Sequence, residues 1–205
     1  DFNFGKKTNI DIDGEKSGLI ADKAWKKKKL NESWYAGETA ITAIGQGFTL
    51  VTPLQLANAT AKLANPSLSI KPHLLLSIDG INQDKQKVKE KKQSYSDENL
   101  KWVKTGMVNV TKEGGTAAFL GRKSNYQMAS KTGTAQLFGL KIDEEYNEDI
   151  LPDKLKDHAL FITYAPAIEP EIVIAVIVEN GGHGGSVAGP IAKKVLDAYL
   201  VNKKL

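Results

Sequence analysis

Two apolar runs near the C-terminal end constrain this chain more than any other feature. Residues 159–164 (Ala-Leu-Phe-Ile-Thr-Tyr) and 171–178 (Glu-Ile-Val-Ile-Ala-Val-Ile-Val) are separated only by Ala165-Pro166-Ala167-Ile168-Glu169-Pro170. Runs this short and this rich in β-branched residues read as strands, and a six-residue link makes them an antiparallel hairpin. Because both are nearly continuous in apolar residues, they are expected to be central and covered on both faces. A third strand candidate, residues 127–136, precedes them. The longest strongly apolar run, Ile172 to Val178, has seven residues, far short of the roughly 20 that span a bilayer.

Helices flank this block. Thr52-Pro53-Leu54-Gln55 has a capping threonine, a proline suited to the first turn and a glutamine that completes a capping box. Leu56, Ala59 and Leu63, with Leu54, Ala57 and Ala61 beside them, form its apolar face, and Asn65-Pro66 stops it. Ser96-Asp97-Glu98 opens a second helix whose buried stripe is expected at Leu100, Val103, Met107 and Val110, with Gly114-Gly115 ending it. A last helix follows Ser186-Val187-Ala188-Gly189-Pro190; Val187, Ile191, Val195 and Tyr199, with Leu196 and Leu200 alongside, define the face expected to pack on the sheet. Residues 71–78 read as a further strand, residues 82–93 as a charged surface stretch, and the opening residues 5–18 as a loop with a short strand near residues 10–12. No internal repeat or Pro/Gly/Ser-rich linker divides the chain. The order predicts an α+β fold with helices packed against an antiparallel sheet.

Composition narrows the chemistry. Zero cysteines exclude disulfides, thiolate catalysis and cysteine-ligated metals, and three scattered histidines argue against a dedicated metal centre. A net charge of +4 on 205 residues gives no argument for nucleic acid. The basic run Lys26-Lys27-Lys28-Lys29 reads as a solvated helix end or loop. Trp25, Trp34 and Trp102 read as packing residues, and residues 44–48 as a fixed turn. The first residues, Asp-Phe-Asn-Phe-Gly-Lys-Lys, carry no signal-peptide pattern.

The segment Ala129-Ser130-Lys131-Thr132-Gly133-Thr134-Ala135-Gln136 is the sharpest chemical feature. A lysine inside an otherwise buried strand is expensive unless its ammonium has partners or faces a cleft. Thr132 and Thr134 differ in phase from Lys131 on a regular strand, and Gly133 removes a side chain where something must approach the backbone closely. Together they point to an edge strand lining a groove, with a cation and two hydroxyls offered to an anion.

Along the whole chain the sequence resembles the class B penicillin-binding proteins, in particular the elongation-type penicillin-binding protein 2 group. The matching pieces are Phe4-Gly5-Lys6-Lys7-Thr8 with Ile10-Asp11, Trp34-Tyr35-Ala36-Gly37-Glu38-Thr39, Ile44-Gly45-Gln46-Gly47-Phe48 and Thr52-Pro53-Leu54-Gln55-Leu56-Ala57. Lys71-Pro72, Gly114-Gly115-Thr116-Ala117, Lys131-Thr132-Gly133-Thr134-Ala135-Gln136, Glu179-Asn180-Gly181-Gly182 and Pro190 to Tyr199 continue the series in order. The resemblance implies a transpeptidase fold, an antiparallel sheet with helices on both sides and a groove beside the Lys-Thr-Gly strand. It implies a serine acylated by a peptidoglycan stem peptide ending in D-Ala-D-Ala, the acyl group then passing to the amine of a neighbouring stem, with β-lactams acylating the same serine. Carried over residue by residue, Lys131 supplies positive charge to the proton-transfer network and the substrate carboxylate. Thr132 and Thr134 offer hydroxyls to that carboxylate, Gly133 belongs to the substrate-binding strand, and the backbone N–H of Thr134 forms half of an oxyanion hole. The resemblance also implies a location at the periplasmic face of the bacterial inner membrane, with an anchor helix outside these residues. The implied partners are a SEDS-type glycosyltransferase and the scaffold protein MreC, with no cofactor and no nucleic acid.

One departure stands out. The family requires Ser-x-x-Lys, whose serine is the nucleophile, and Ser-x-Asn. No serine of this sequence has lysine three positions later or asparagine two positions later. Residues 1–205 are therefore expected to be the C-terminal portion of a transpeptidase domain, its N-terminal part lying upstream, catalytically inert alone, with an incomplete sheet and marginal stability because an unpaired edge is exposed. Ser130 and Lys131 are adjacent on a strand and so point to opposite faces, which excludes them as a dyad. Gly181-Gly182-His183-Gly184-Gly185-Ser186 lacks the Gly-Lys-Ser/Thr ending of a nucleotide loop and reads as a turn, with a loop bordering the substrate groove as the functional alternative. His158, His73 and His183 read as structural or exposed loop residues, and the acidic residues Asp143, Glu144, Glu145, Glu148 and Asp149 as a solvated insertion. A serine β-lactamase, a penicillin-sensing domain and a non-catalytic scaffolding fragment are the competing functions.

Overall fold

The computed structural model describes residues 2–67, 71–82, 93–122, 124–137 and 152–201. The chain separates into two compact units, residues 1–59 with 69–91, and residues 60–68 with 92–205.

In the first unit, α1 (Lys23–Leu30) is capped by Asp22, whose carboxylate accepts the Trp25 N–H at 2.7 Å, and ends at Asn31 in the left-handed conformation, φ 57°. Lys26 departs from the solvated reading. It is 3% exposed, its ammonium pairs with Glu38 at 2.5 Å and Glu32 at 3.3 Å, and it lies 4.9 Å from the Tyr35 ring centroid. A buried cation persists only when paired, and Glu38 and Glu32 supply that pairing; Lys27, Lys28 and Lys29 are exposed as expected. Helix α2 (Ala36–Ala43) begins where the Glu38 carboxylate accepts the Tyr35 N–H at 2.7 Å, and the Trp34 indole donates to Thr39 at 2.9 Å.

Helix α3 (Pro53–Ala64) opens on the expected capping box. The Gln55 N–H donates to the Thr52 hydroxyl at 3.1 Å, and the Gln55 side-chain oxygen accepts the Thr52 N–H at 2.9 Å. Gln55 does more than cap. Its amide nitrogen also donates to the carbonyls of Lys6 and Ser17, at 2.8 and 2.7 Å, and the residue is 2% exposed. That tie holds the opening loop in place of the short strand expected near residue 10, where Asp11 instead accepts the N–H groups of Leu74 and Leu75. The expected strand over residues 71–78 shrinks to a two-residue arm, β1 (Ser77–Ile78), paired antiparallel with β2 (Ile81–Asn82) through Asp79-Gly80. Both turn residues have positive φ, the conformation that Asp-Gly favours in a tight hairpin and that ends a longer strand there.

The second unit is an antiparallel sheet of three strands, β3 (Ala129–Ala135), β4 (His158–Ala165) and β5 (Ile172–Val178), in the order β3-β4-β5. Alternation along β4 divides its side chains between two cores. Ala159, Phe161 and Ala165 pack with Ala188, Ala192 and Leu196 of α6 (Ala188–Leu200), joined by Leu120 of the short α5 (Ala118–Gly121). Tyr164 and Ala129 face the other way, with Met107 of α4 (Asp97–Asn109) and Ala64 at the end of α3. Helices thus cover both faces of an antiparallel sheet, the α+β arrangement expected. β4 is central as predicted. β5 is not: it lies at the edge of this sheet with its residues half-buried and Ile177 40% exposed, because among the described residues no strand pairs along its outer side.

Three helical faces differ from expectation. On α4 the buried positions include Leu100 and Met107, whereas Val103 and Trp102 are 47% and 69% exposed. Lys104 takes the expected place of Val103, half-buried, its ammonium donating at 2.8 Å to the Ala64 carbonyl at the α3 C-terminus; burial pushes that ammonium below its usual pKa. On α3 the buried stripe carries Gln55, Ala59, Thr60 and Ala64. On α6 the expected Val187, Leu196 and Leu200 do pack on the core, but Ala188 and Ala192 complete the sheet-facing row, while Ile191, Val195 and Tyr199 are exposed. Small residues bring the α6 backbone close to Phe161, and larger neighbours are rotated outward.

Helix α6 is also tied by charge. The Tyr126 hydroxyl donates to Asp197 at 2.8 Å, and the Lys193 ammonium donates to both Asp197 oxygens at 2.5 and 2.7 Å. Burial pushes the Asp197 carboxyl up, but the hydrogen bonds from Lys193 and Tyr126, with the Lys193 charge, outweigh it and hold the pKa below its ordinary value. A carboxyl depressed in the folded state lends stability above its unfolded pKa and loses it as pH falls through the folded one. Asp197→Asn is therefore expected to weaken the protein at neutral pH and to converge with the parent in acid. Urea melts across that range measure the gap, and one that stays constant with pH would remove this assignment.

Candidate active site

β3 pairs only with β4 among the described residues, so the Lys-Thr-Gly segment occupies a sheet edge, as its composition predicts. The register sets Lys131 opposite Ile162, Thr132 opposite Phe161, Gly133 opposite Leu160 and Thr134 opposite Ala159. Lys131 therefore shares the face of Ala129 and α4, while Thr132 and Thr134 share the α6 face with Phe161. The phase difference between Lys131 and the threonines is thus a difference of face. Because the strand is an edge, a ligand laid along it meets the cation from one side and the hydroxyls from the other.

Burial falls steeply at the lysine. Ala129 and Ser130 are fully buried, and Lys131 is exposed with its ammonium donating to the Thr132 carbonyl at 2.6 Å. Ser130 points to the opposite face, where its hydroxyl donates to Thr163 at 2.9 Å, so it is a core hydroxyl and no partner for Lys131. Gly133 is explained by its neighbours: a methyl built there would stand 3.1 Å from the Leu160 Cβ on the facing strand.

His158 sits at the start of β4 and accepts the Asn180 N–H at 2.9 Å through Nδ1, a structural role. His73 is exposed with Nδ1 3.4 Å from the Lys71 carbonyl, and His183 is an exposed loop residue. The acidic residues 143–149 lie outside the described residues. Open cavities of about 440 and 710 Å³ lie elsewhere in this unit: the first is lined by Lys104, Lys112 and Tyr164, the second by Lys112 and Arg122, and neither by residues 131–134. The groove expected beside Lys131 is neither of these. Asn180, whose side-chain amide donates to the carbonyls of Lys154 and Lys156 at 3.0 Å, fastens the loop after β5, a role that only the Asn-Gly-Gly turn signals in the sequence.

Residues 1–197 match the penicillin-binding protein transpeptidase domain. The chain is 41% identical over 212 aligned residues to the peptidoglycan D,D-transpeptidase MrdA of Haemophilus influenzae, covering 100% of this chain and 32% of that protein. It superposes on PBP2 of Pseudomonas aeruginosa, solved in complex with WCK 5153, with a TM-score of 0.82 and 41% identity, covering 97% of this chain and 42% of the other. It superposes on PBP2 of Helicobacter pylori, solved in complex with MreC, with a TM-score of 0.77 and 31% identity, covering 98% and 34%. The chain spans about a third of the length of the curated relatives it matches. It belongs to the penicillin-binding protein transpeptidase domain family.

Proposed function

We propose that this chain is the C-terminal portion of the transpeptidase domain of a peptidoglycan D,D-transpeptidase of lateral wall elongation. The observation that carries the proposal is 41% identity along the whole chain to a D,D-transpeptidase, joined to an edge strand that ends its buried segment at an exposed Lys131. The nucleophilic serine comes from polypeptide beyond these residues, since no Ser-x-x-Lys occurs within them. That serine attacks the penultimate D-Ala carbonyl of a stem peptide, the terminal D-Ala leaves, and the acyl group passes to the amine of a neighbouring stem, regenerating the serine.

In this reading the edge of β3 is the anion-facing wall of the cleft. Lys131 orients the substrate carboxylate and the proton network, Thr132 and Thr134 donate hydroxyls to the carboxylate, and the Thr134 N–H meets the oxyanion of the tetrahedral intermediate. Gly133 keeps the strand close to β4. The outer side of β5 is completed by the rest of the domain. β-Lactams acylate the same serine. MreC, the partner of the H. pylori PBP2, and a SEDS-type glycosyltransferase are the assembly partners, at the periplasmic face of the inner membrane.

The test uses nitrocefin and a fluorescent penicillin. The full-length protein is expected to give one slow acylation and no sustained nitrocefin hydrolysis, and the isolated chain no label at all. Sustained turnover would make it a β-lactamase, and an adduct on Ser130 of the isolated chain would overturn the assignment of the nucleophile. A full-length protein that takes no label would leave a scaffolding role.

A further inference from the structure

The loop of residues 181–185, between β5 and α6, packs against the Lys-Thr-Gly strand. Gly184 is buried there, against the Gly133–Leu160 cross-strand pair. A methyl built on Gly184 would stand 2.1 Å from the Leu160 carbonyl oxygen, 2.3 Å from the Gly133 carbonyl oxygen and 3.0 Å from the Gly133 nitrogen. These are backbone atoms, and no side-chain rotation relieves such contacts. One residue on, a methyl at Gly185 would meet the Thr116 carbonyl and the Thr132 methyl at 3.4 Å, ordinary contact distance.

The loop is pinned on both sides. The Gly182 N–H donates to the Asp157 carbonyl at 2.8 Å, and the Gly189 N–H in α6 donates to the Gly184 carbonyl at 2.9 Å. Asn180, in the left-handed conformation with φ 55°, holds the carbonyls of Lys154 and Lys156 just before β4. Gly133 is thus confined by the Leu160 side chain and by a fixed loop backbone.

We propose that this loop is a clamp on the catalytic strand and that Gly184 is a positioning residue for the oxyanion donor. The inference rests on the site reading above and adds what holds that site in shape. The Gly133 carbonyl and the Thr134 N–H belong to one planar peptide, so a push on the oxygen tilts the N–H rigidly with it. Relieving a carbon–oxygen contact near 2.3 Å shifts one backbone by roughly 1 Å, and a misplacement of that size lowers a rate about a hundredfold.

The experiment measures penicillin acylation of the full-length protein, separating reversible binding from the acylation step, alongside thermal melts. Gly184→Ala is expected to slow acylation about a hundredfold with binding changed by less than roughly threefold, and Gly185→Ala to stay within about threefold of the parent. Asn180→Ala, which loosens the clamp without adding a clash, is expected to slow acylation several-fold and serves if Gly184→Ala does not fold. Parent rates in a folded Gly184→Ala variant, parent rates in Asn180→Ala, or equal losses at Gly184 and Gly185 would overturn the clamp. Lys131→Ala separates this from the site reading: a slow Lys131→Ala beside a fast Gly184→Ala discards the clamp alone, whereas a fast Lys131→Ala discards the site.

Discussion

Lys131→Ala in the full-length protein is expected to slow penicillin acylation by about ten- to two-hundredfold. One charge-assisted hydrogen bond contributes about 1.5–3 kcal/mol, and each 1.36 kcal/mol is a decade of rate. Lys131 is exposed on a sheet edge and its ammonium rests on the Thr132 carbonyl, so its removal leaves no cavity and no buried unpaired group. Stability is therefore expected to change by less than about 0.5 kcal/mol, and a lost rate cannot be blamed on unfolding. Stopped-flow acylation with a chromogenic cephalosporin, paired with a denaturant melt, reads both quantities. Lys131→Arg keeps the charge with a different shape and is expected to recover only part of the rate. An alanine variant that acylates like the parent would remove Lys131 from the mechanism.

Phe161→Ala is expected to have the largest effect on stability, a loss of about 3–5 kcal/mol, the range for deleting a buried phenylalanine ring. The ring is 1% exposed and belongs to the core that joins Ala188, Ala192 and Leu196 of α6 to the sheet. A methyl built on Gly189 would lie 3.4 Å from it, which shows how little space separates helix and ring. With the neighbours so close and the helix backbone so near, the site collapses poorly and the cavity persists. Thr132 lies directly opposite on β3, so the same ring supports the strand that carries Lys131. Urea denaturation of the full-length protein measures the loss. A change below about 1 kcal/mol would mean that α6 does not close on this face of the sheet.

Much of this was legible in the residues. Thr52 and Gln55 form the capping box their spacing announces, because a cap is satisfied within three residues of chain and needs no tertiary partner. The hairpin of β4 and β5 follows from two β-rich runs and a short link, and the Lys-Thr-Gly strand is at an edge, where an exposed lysine is tolerable. The exclusion of Ser130 came from period two alone, and its bond to Thr163 agrees. Other features were not legible. Val103 and Lys104 exchange roles because the α3 C-terminus offers a carbonyl to a cation, and no pattern within α4 reports that neighbour. Lys26 looks like one of four solvated lysines until Glu38, twelve positions on, closes on it. On α6, Ile191, Val195 and Tyr199 have a stronger hydrophobic signal than Ala188 and Ala192, yet the alanines pack beside Leu196, because closeness of approach and not side-chain size decides which face a helix presents to a sheet.

The residues alone determined the chemistry on offer: a cation and two hydroxyls on one strand, no Ser-x-x-Lys, no thiol, and no apolar run long enough for a membrane-spanning helix. These follow from covalent identity and from local periods that hold wherever the segment lies. Tertiary structure decided which faces those groups occupy and why two glycines, 51 positions apart, must both lack a side chain. Gly133 and Gly184 are glycine because two backbones and a leucine share one small volume, and exclusion of that kind exists only once the chain has folded.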